Sequence, residues 1–159
     1  MKIDILVVGK IKEKYFTDAV DEYSKRLSRY VKLNIIEVKD EKTSEGASER
    51  ENEMVLIAEA QRLLRYLDDD VPLIPLCIEG RQYTSEEFAG LITDYENKGR
   101  SHIRFVIGGS LGLDESIKKR GDVKLSFSKM TFPHQLMRVI LLEQIYRAYR
   151  IKNNEPYHK

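Results

Sequence analysis

Five short apolar runs, at residues 3–8, 33–38, 72–78, 103–107 and 123–127, alternate with stretches of helical periodicity, and nothing else in the chain restricts its fold as strongly. Runs of that length read as strands. Strands separated by helix-length crossovers pair in parallel, and the crossover helices then cover both faces of the sheet. The expectation is an α/β fold: a mainly parallel sheet with helices on both faces. A length of 159 residues suits one domain spanning 1–159. At that size folding hides roughly 70% of the surface that the unfolded chain exposes. No repeat, low-complexity tract or linker divides the chain.

The helical stretches carry their own punctuation. Residues 15–30 have helical spacing. Residues 49–67 place Met54, Ile57, Ala58, Ala60, Leu63 and Leu64 on one apolar side, and Asp68, Asp69 and Asp70 end that helix. Thr84-Ser85-Glu86-Glu87 has the form of a capping box and opens a helix that runs to about Asn97. A short helix is expected at 113–119. Pro133 is expected to start the last helix, where its missing N–H costs nothing, and the helix runs to about Lys152. This helix is apolar nearly all round. Met137, Ile140, Leu141, Ile145, Ala148 and Ile151 form one stripe, and Leu136, Val139, Leu142, Tyr146 and Tyr149 form another. A helix lying on a sheet buries one face, so the second stripe calls for a further partner. An identical helix across the two-fold axis of a homodimer supplies one. A single larger core is the alternative.

Charge is informative through its distribution. The net charge is +1. From residue 124 onward Lys124, Lys129, Arg138, Arg147, Arg150, Lys152 and Lys159 face only Glu143 and Glu155, so the C-terminal end is basic and the remainder acidic. This pattern fits a phosphate-binding footprint. It fits equally a helix face laced with internal ion pairs, since Glu143 and Arg147 have i,i+4 spacing. The single cysteine, Cys77, sits in an apolar run and reads as a small core residue without a disulfide. No stretch approaches the roughly 20 apolar residues of a membrane span, and the opening residues lack the form of a signal peptide. A cytoplasmic location is expected.

Three segments carry candidate chemistry. The run Ile107-Gly108-Gly109-Ser110-Leu111-Gly112 follows a strand and leads into a helix, so it can set backbone N–H groups against a ligand. Its spacing is not that of a dinucleotide-binding strand–turn–helix, and no phosphate-binding loop with a Gly-Lys-Ser/Thr ending is present. The second segment, residues 125–138, mixes hydroxyls with Phe127, Met130 and Phe132, a composition suited to wrapping an adenine ring. His134 and Arg138 share a helix face within it, and His134 alone reads equally as a satisfied first-turn histidine. The third is the tail, with Tyr157, His158 and Lys159 suited to base stacking, proton transfer and phosphate contact. Short C-terminal ends are dispensable by default. His102, His134 and His158 have no metal-ligand spacing with Cys77, and a Gly-x-Ser-x-Gly hydrolase turn is absent.

Four stretches together resemble one family. They are the Ile107-Gly-Gly turn, Leu125-Ser followed by Pro133-His-x-Leu-x-Arg138, the segment Glu143-Gln-Ile-Tyr-Arg-Ala148, and the ending Asn154-x-Pro-Tyr-His-Lys159. Over the whole chain, with the opening Val7-Val-Gly9, these resemble the RlmH family, methyltransferases of N3 of a pseudouridine in bacterial 23S ribosomal RNA. The resemblance implies a SPOUT-type fold with a C-terminal trefoil knot. It implies S-adenosylmethionine as cofactor, held by Leu76, Gly108 and the loop of Phe127, Ser128, Lys129, Met130, Thr131 and Phe132. It implies a homodimer acting on the 23S rRNA of an assembled ribosome, with no metal and no membrane. Arg138, Tyr157 and His158 become the catalytic candidates. A non-catalytic ribosome-associated nucleotide-binding module and a transfer-RNA methyltransferase are the alternatives.

Overall fold

The computed structural model describes residues 1–158. In chain order the elements are β1 (Lys2–Val8), α1 (Lys14–Leu27), β2 (Lys32–Val38), α2 (Glu49–Leu64), β3 (Leu73–Gln82), α3 (Ser85–Asn97), β4 (His102–Ile107), α4 (Glu115–Lys119), β5 (Leu125–Ser126) and α5 (His134–Lys152). The five strands form one sheet in the order β2-β1-β4-β3-β5, and every pairing is parallel. The alternation of the sequence is thus realised as an α/β sheet with a core on each face. On one face Ile3, Ile5, Ile103 and Phe105 pack against Val20, Phe88, Ile92, Leu141 and Ile145. On the other Leu6, Val8 and Val106 pack against Ala60, Leu63 and Ile117.

Local signals set several boundaries. Thr84 and Glu87 form the expected capping box: the Thr84 hydroxyl accepts from the Glu87 N–H at 3.1 Å, and the Glu87 carboxylate accepts from the Thr84 N–H at 2.8 Å. Ser48 and Asp114 cap α2 and α4 in the same way with one side-chain bond each. Pro133 is the residue flanking α5 and not its first helical residue. Asn154, with φ of 54°, ends α5 in the left-handed conformation that asparagine tolerates. β5 is shorter than expected, with only Leu125 and Ser126 paired.

Two expectations about helix faces are corrected. In α2 the buried residues are Glu59, Ala60 and Leu63, all in its C-terminal half, while Met54 and Ile57 are exposed. Only that half reaches the sheet. In α5 the second apolar stripe does not wait for a partner chain. Leu142, Tyr146 and Tyr149 are buried within this chain, because α5 lies between α1 and α3 and is covered on both flanks. Tyr23 and Tyr30 of the α1 region pack on Tyr146, and Tyr30 stacks on Tyr149 at 5.5 Å. The larger single core therefore accounts for most of the stripe. Within that second stripe only Leu136 and Val139 remain partly exposed.

The edge pairing of the sheet is irregular. Leu125 pairs with both Leu76 and Arg81, so residues 77–80 of β3 bow out of the ladder as a bulge. The Arg81 N–H donates to the Lys124 carbonyl at 2.9 Å. A Cβ at Gly80 would lie 2.7 Å from that same carbonyl oxygen, so only glycine permits this approach. A Cβ at Gly121 would meet the Pro75 ring at 2.5 Å. Residues 121–125 are thus laid tightly along β3, and this places the start of the 126–133 loop.

Candidate active site

A cleft of about 640 Å³ opens at the carboxyl ends of β3, β4 and β5. Open parallel sheets bind ligands at this edge, where strand ends release the chain into loops. Three segments build it. The bulge of β3 contributes Leu76, Cys77, Ile78 and Glu79; the turn after β4 contributes Gly108 to Leu113; and the loop from β5 to α5 contributes Phe127, Ser128, Met130, Thr131 and Phe132. Lys118 of α4 closes one side, and His134 and Met137 of the first turn of α5 close the other. The floor is apolar, from Ile107 and Leu125.

Seven of the eight residues expected to hold a cofactor line this cleft: Leu76, Gly108, Phe127, Ser128, Met130, Thr131 and Phe132. Lys129 is exposed in the same loop but is not part of the wall. The loop is held by its own hydroxyls. Ser126 Oγ donates to the Ser128 carbonyl at 3.1 Å, and Ser128 Oγ accepts from the Met130 N–H at 3.0 Å. Met130 and Ile78 are large, apolar and exposed at the mouth.

The glycine turn is tighter than the sequence indicated. A Cβ on Gly108 would fall 2.2 Å from the Gly112 carbonyl oxygen, so what forbids a side chain is backbone and not a positive φ. The positive φ belongs to Gly112, at 83°. Beneath the turn lies Glu59, a buried carboxylate that accepts from the Glu41 N–H at 3.0 Å. Burial pushes its pKa up. A Cβ on Gly109 would come within 3.4 Å of both Glu59 oxygens.

The three catalytic candidates do not line the cleft of their own chain. Arg138 is buried, donating to Glu37 Oε2 at 2.8 Å and to the Gly9 carbonyl at 3.2 Å, with its Nε left without a partner among the described residues. Tyr157 donates to Glu143 at 3.0 Å, packs edge-on against Tyr146 at 5.0 Å and lies under the Arg147 guanidinium. Burial and the Glu143 hydrogen bond raise its pKa, so it is a donor at neutral pH. His158 Nε2 sits 2.7 Å from Glu86 and its Nδ1 3.3 Å from Arg147. Lys159 lies outside the described residues. The basic end is largely neutralised: Arg138, Arg147, Arg150 and Lys152 pair with Glu37, Glu143, Glu155 and Glu96. Lys124 and Lys129 remain exposed without carboxylate partners among the described residues.

Sequence reasoning missed Glu79, Lys118 and Met137 as cleft residues and left His134 undecided. Burial, together with the Arg138 charge, lowers the His134 pKa against the opposing pull of Asp40. The imidazole is therefore neutral at pH 7. Among the described residues no group of three or more His, Cys, Asp or Glu is placed to share a metal ion, and no helix is long and apolar enough to cross a membrane.

The family profile described as "Predicted SPOUT methyltransferase" matches residues 1–158. Over 159 residues, covering all of both chains, the protein is 60% identical to a protein of Bifidobacterium adolescentis and 57% identical to one of Clostridium novyi, both named ribosomal RNA large subunit methyltransferase H. The chain belongs to the RlmH family of SPOUT methyltransferases. The fold agrees with that membership. A solved structure described as a probable methylase family protein from Haemophilus influenzae matches 99% of this chain and 70% of its own length, with a TM-score of 0.58 at 14% identity. That likeness concerns the fold.

Proposed function

We propose that this protein methylates N3 of a pseudouridine in large-subunit 23S ribosomal RNA, using S-adenosylmethionine and acting on assembled ribosomes. The observation that carries the reading is the cleft, where seven expected cofactor residues from three distant segments meet. Full-length identity to proteins named for large-subunit rRNA methylation supports the substrate class. The donor set suits the cofactor. Apolar side chains can enclose an adenine, the turn and loop offer backbone polar groups to its edge, and the volume falls within the range of small-molecule sites. With family membership goes the expectation of a C-terminal trefoil knot.

When bound, S-adenosylmethionine supplies an already electrophilic methyl group. The protein's task is to align the acceptor nitrogen, which is worth roughly 7–11 kcal/mol at best, and to receive the imide proton. Arg138 is the candidate for steadying the charge left on the carbonyls of the acceptor base, although in this chain its guanidinium is buried against Glu37 and the Gly9 carbonyl. Tyr157 positions the base and His158 handles the proton. Because neither tail residue lines the cleft of its own chain, these roles require a homodimer in which the tail serves the partner's cleft. The partly exposed Leu136 and Val139 are where α5 would meet its copy.

Methyl transfer from labelled S-adenosylmethionine to ribosomes, with mass spectrometry of RNA from a deletion strain, tests the reading. A lost methyl on a 23S pseudouridine is expected. A lost methyl on transfer RNA would shift the substrate, and cofactor binding without any transfer would make this a non-catalytic module. Two inactive variants, one changed in the tail and one in the cleft, should regain activity as mixed dimers. No recovery would return the tail to its own subunit.

A further inference from the structure

The cleft wall contains one pair of opposite charges. Lys118 Nζ donates to Glu79 Oε1 at 2.5 Å, with Glu115 farther off at 3.8 Å. Every other lining residue is apolar, hydroxyl-bearing or glycine, apart from Cys77 and the neutral His134. The pair sits on the α4 side, whereas His134 lies across the cleft on the α5 side. Its two members are 39 residues apart in sequence, and the bulge of β3 is what turns Glu79 toward α4. Both are ionised at neutral pH. The Lys118 hydrogen bond lowers the Glu79 pKa. Burial works against the Lys118 ammonium, but the hydrogen bond and charge of Glu79 outweigh it.

An exposed ion pair contributes little to stability. Lys118 is different in being mostly covered, at 17% side-chain exposure, while facing a ligand-sized cavity. Its ammonium retains two further donors, and Glu79 retains its second oxygen. A sulfonium nucleoside has three parts: a base, a ribose and an α-amino acid end that carries one carboxylate and one ammonium. The apolar loop suits the base. Among the described residues of the wall, only the Glu79–Lys118 pair offers charges matching the third part.

We propose that Glu79 and Lys118 form the subsite for the amino-acid end of the methyl donor, Lys118 binding its carboxylate and Glu79 its ammonium. The assignment rests on the cofactor reading above. Charge-assisted hydrogen bonds of this type are the strong ones.

Calorimetric titration with S-adenosylhomocysteine and with 5′-methylthioadenosine tests it, since these share the nucleoside and sulfur and differ in the amino-acid end. The unaltered protein should prefer S-adenosylhomocysteine. Lys118→Met should weaken S-adenosylhomocysteine on the order of tenfold or more and leave methylthioadenosine unchanged, so that the preference collapses. Glu79→Gln should act in the same direction and serves if Lys118→Met fails to fold. Equal weakening of both nucleosides, or an intact preference in both variants, overturns the subsite. If the unaltered protein binds neither nucleoside, the cofactor reading falls and takes the subsite with it.

Discussion

The two halves of α5 do different work. Its first turn faces the cleft: His134 and Met137 are partly buried side chains of the wall. Its second half is enclosed. Leu142, Ile145, Tyr146 and Tyr149 are buried between α1 and α3, and the tail folds back so that Tyr157 covers Tyr146. Polar contacts tie that end down. Arg150 binds Glu155 and the Pro156 carbonyl, and the Tyr30 hydroxyl donates to Glu155 at 2.9 Å. One helix thus serves as the lip of a cleft at one end and as the centre of a core at the other. The difference shows that an apolar stripe by itself does not reveal what covers it. It also shows that a polar C-terminal end can be a packed element.

The largest expected effect separates the enclosed half from any role in association. Leu142→Glu buries a charge inside the chain, at a cost of roughly 4–5 kcal/mol or more. That is a large share of a typical total of about 5–15 kcal/mol. Denaturant melts should show loss of the folded state. A folded, monomeric Leu142→Glu would restore the stripe to an interface. Next comes Gly108→Val, which drives a side chain into the Gly112 carbonyl. It should destabilise by roughly 1–3 kcal/mol and abolish S-adenosylhomocysteine binding in calorimetry. Retained affinity would remove the turn from the site.

Tyr157→Ala sharpens the comparison from the tail. Loss of the edge-on pair with Tyr146 should cost about 0.5–1.5 kcal/mol beyond the buried area. The midpoint should therefore fall, cofactor affinity should stay unchanged, and methyl transfer should be lost. An unaffected melting midpoint would show that the tail is not docked in solution. The smallest effect concerns the lip. The folded-state pKa of His134 lies below its ordinary 6.5. Below pH 6.5 the unfolded chain then binds more protons, so stability falls as the pH drops from there toward the folded value. The slope is at most about 1.4 kcal/mol per pH unit. His134→Gln should flatten this part of the stability–pH curve, and an unchanged curve would place the imidazole in solvent.

The sequence by itself determined the elements and the parallel sheet, because hydrophobic period and crossover length are local properties. It determined the capping box at Thr84 and Glu87 for the same reason. Through resemblance it also pointed to most of one wall of the cleft, since Phe127 to Phe132 are contiguous and lie in one loop. Only the tertiary structure decided the rest. It put α5 between two helices, because a stripe of apolar residues is satisfied equally by the same chain or by another. It sent the Arg138 guanidinium to Glu37, 101 residues away, a partner that no helical spacing indicates. It exposed Met54 and Ile57, because only half of α2 reaches the sheet. It joined Glu79 to Lys118 through a bulge that no local pattern announces. Contacts of that kind arise from strand order and chain crossing, which depend on the whole chain's burial and not on any window of its residues.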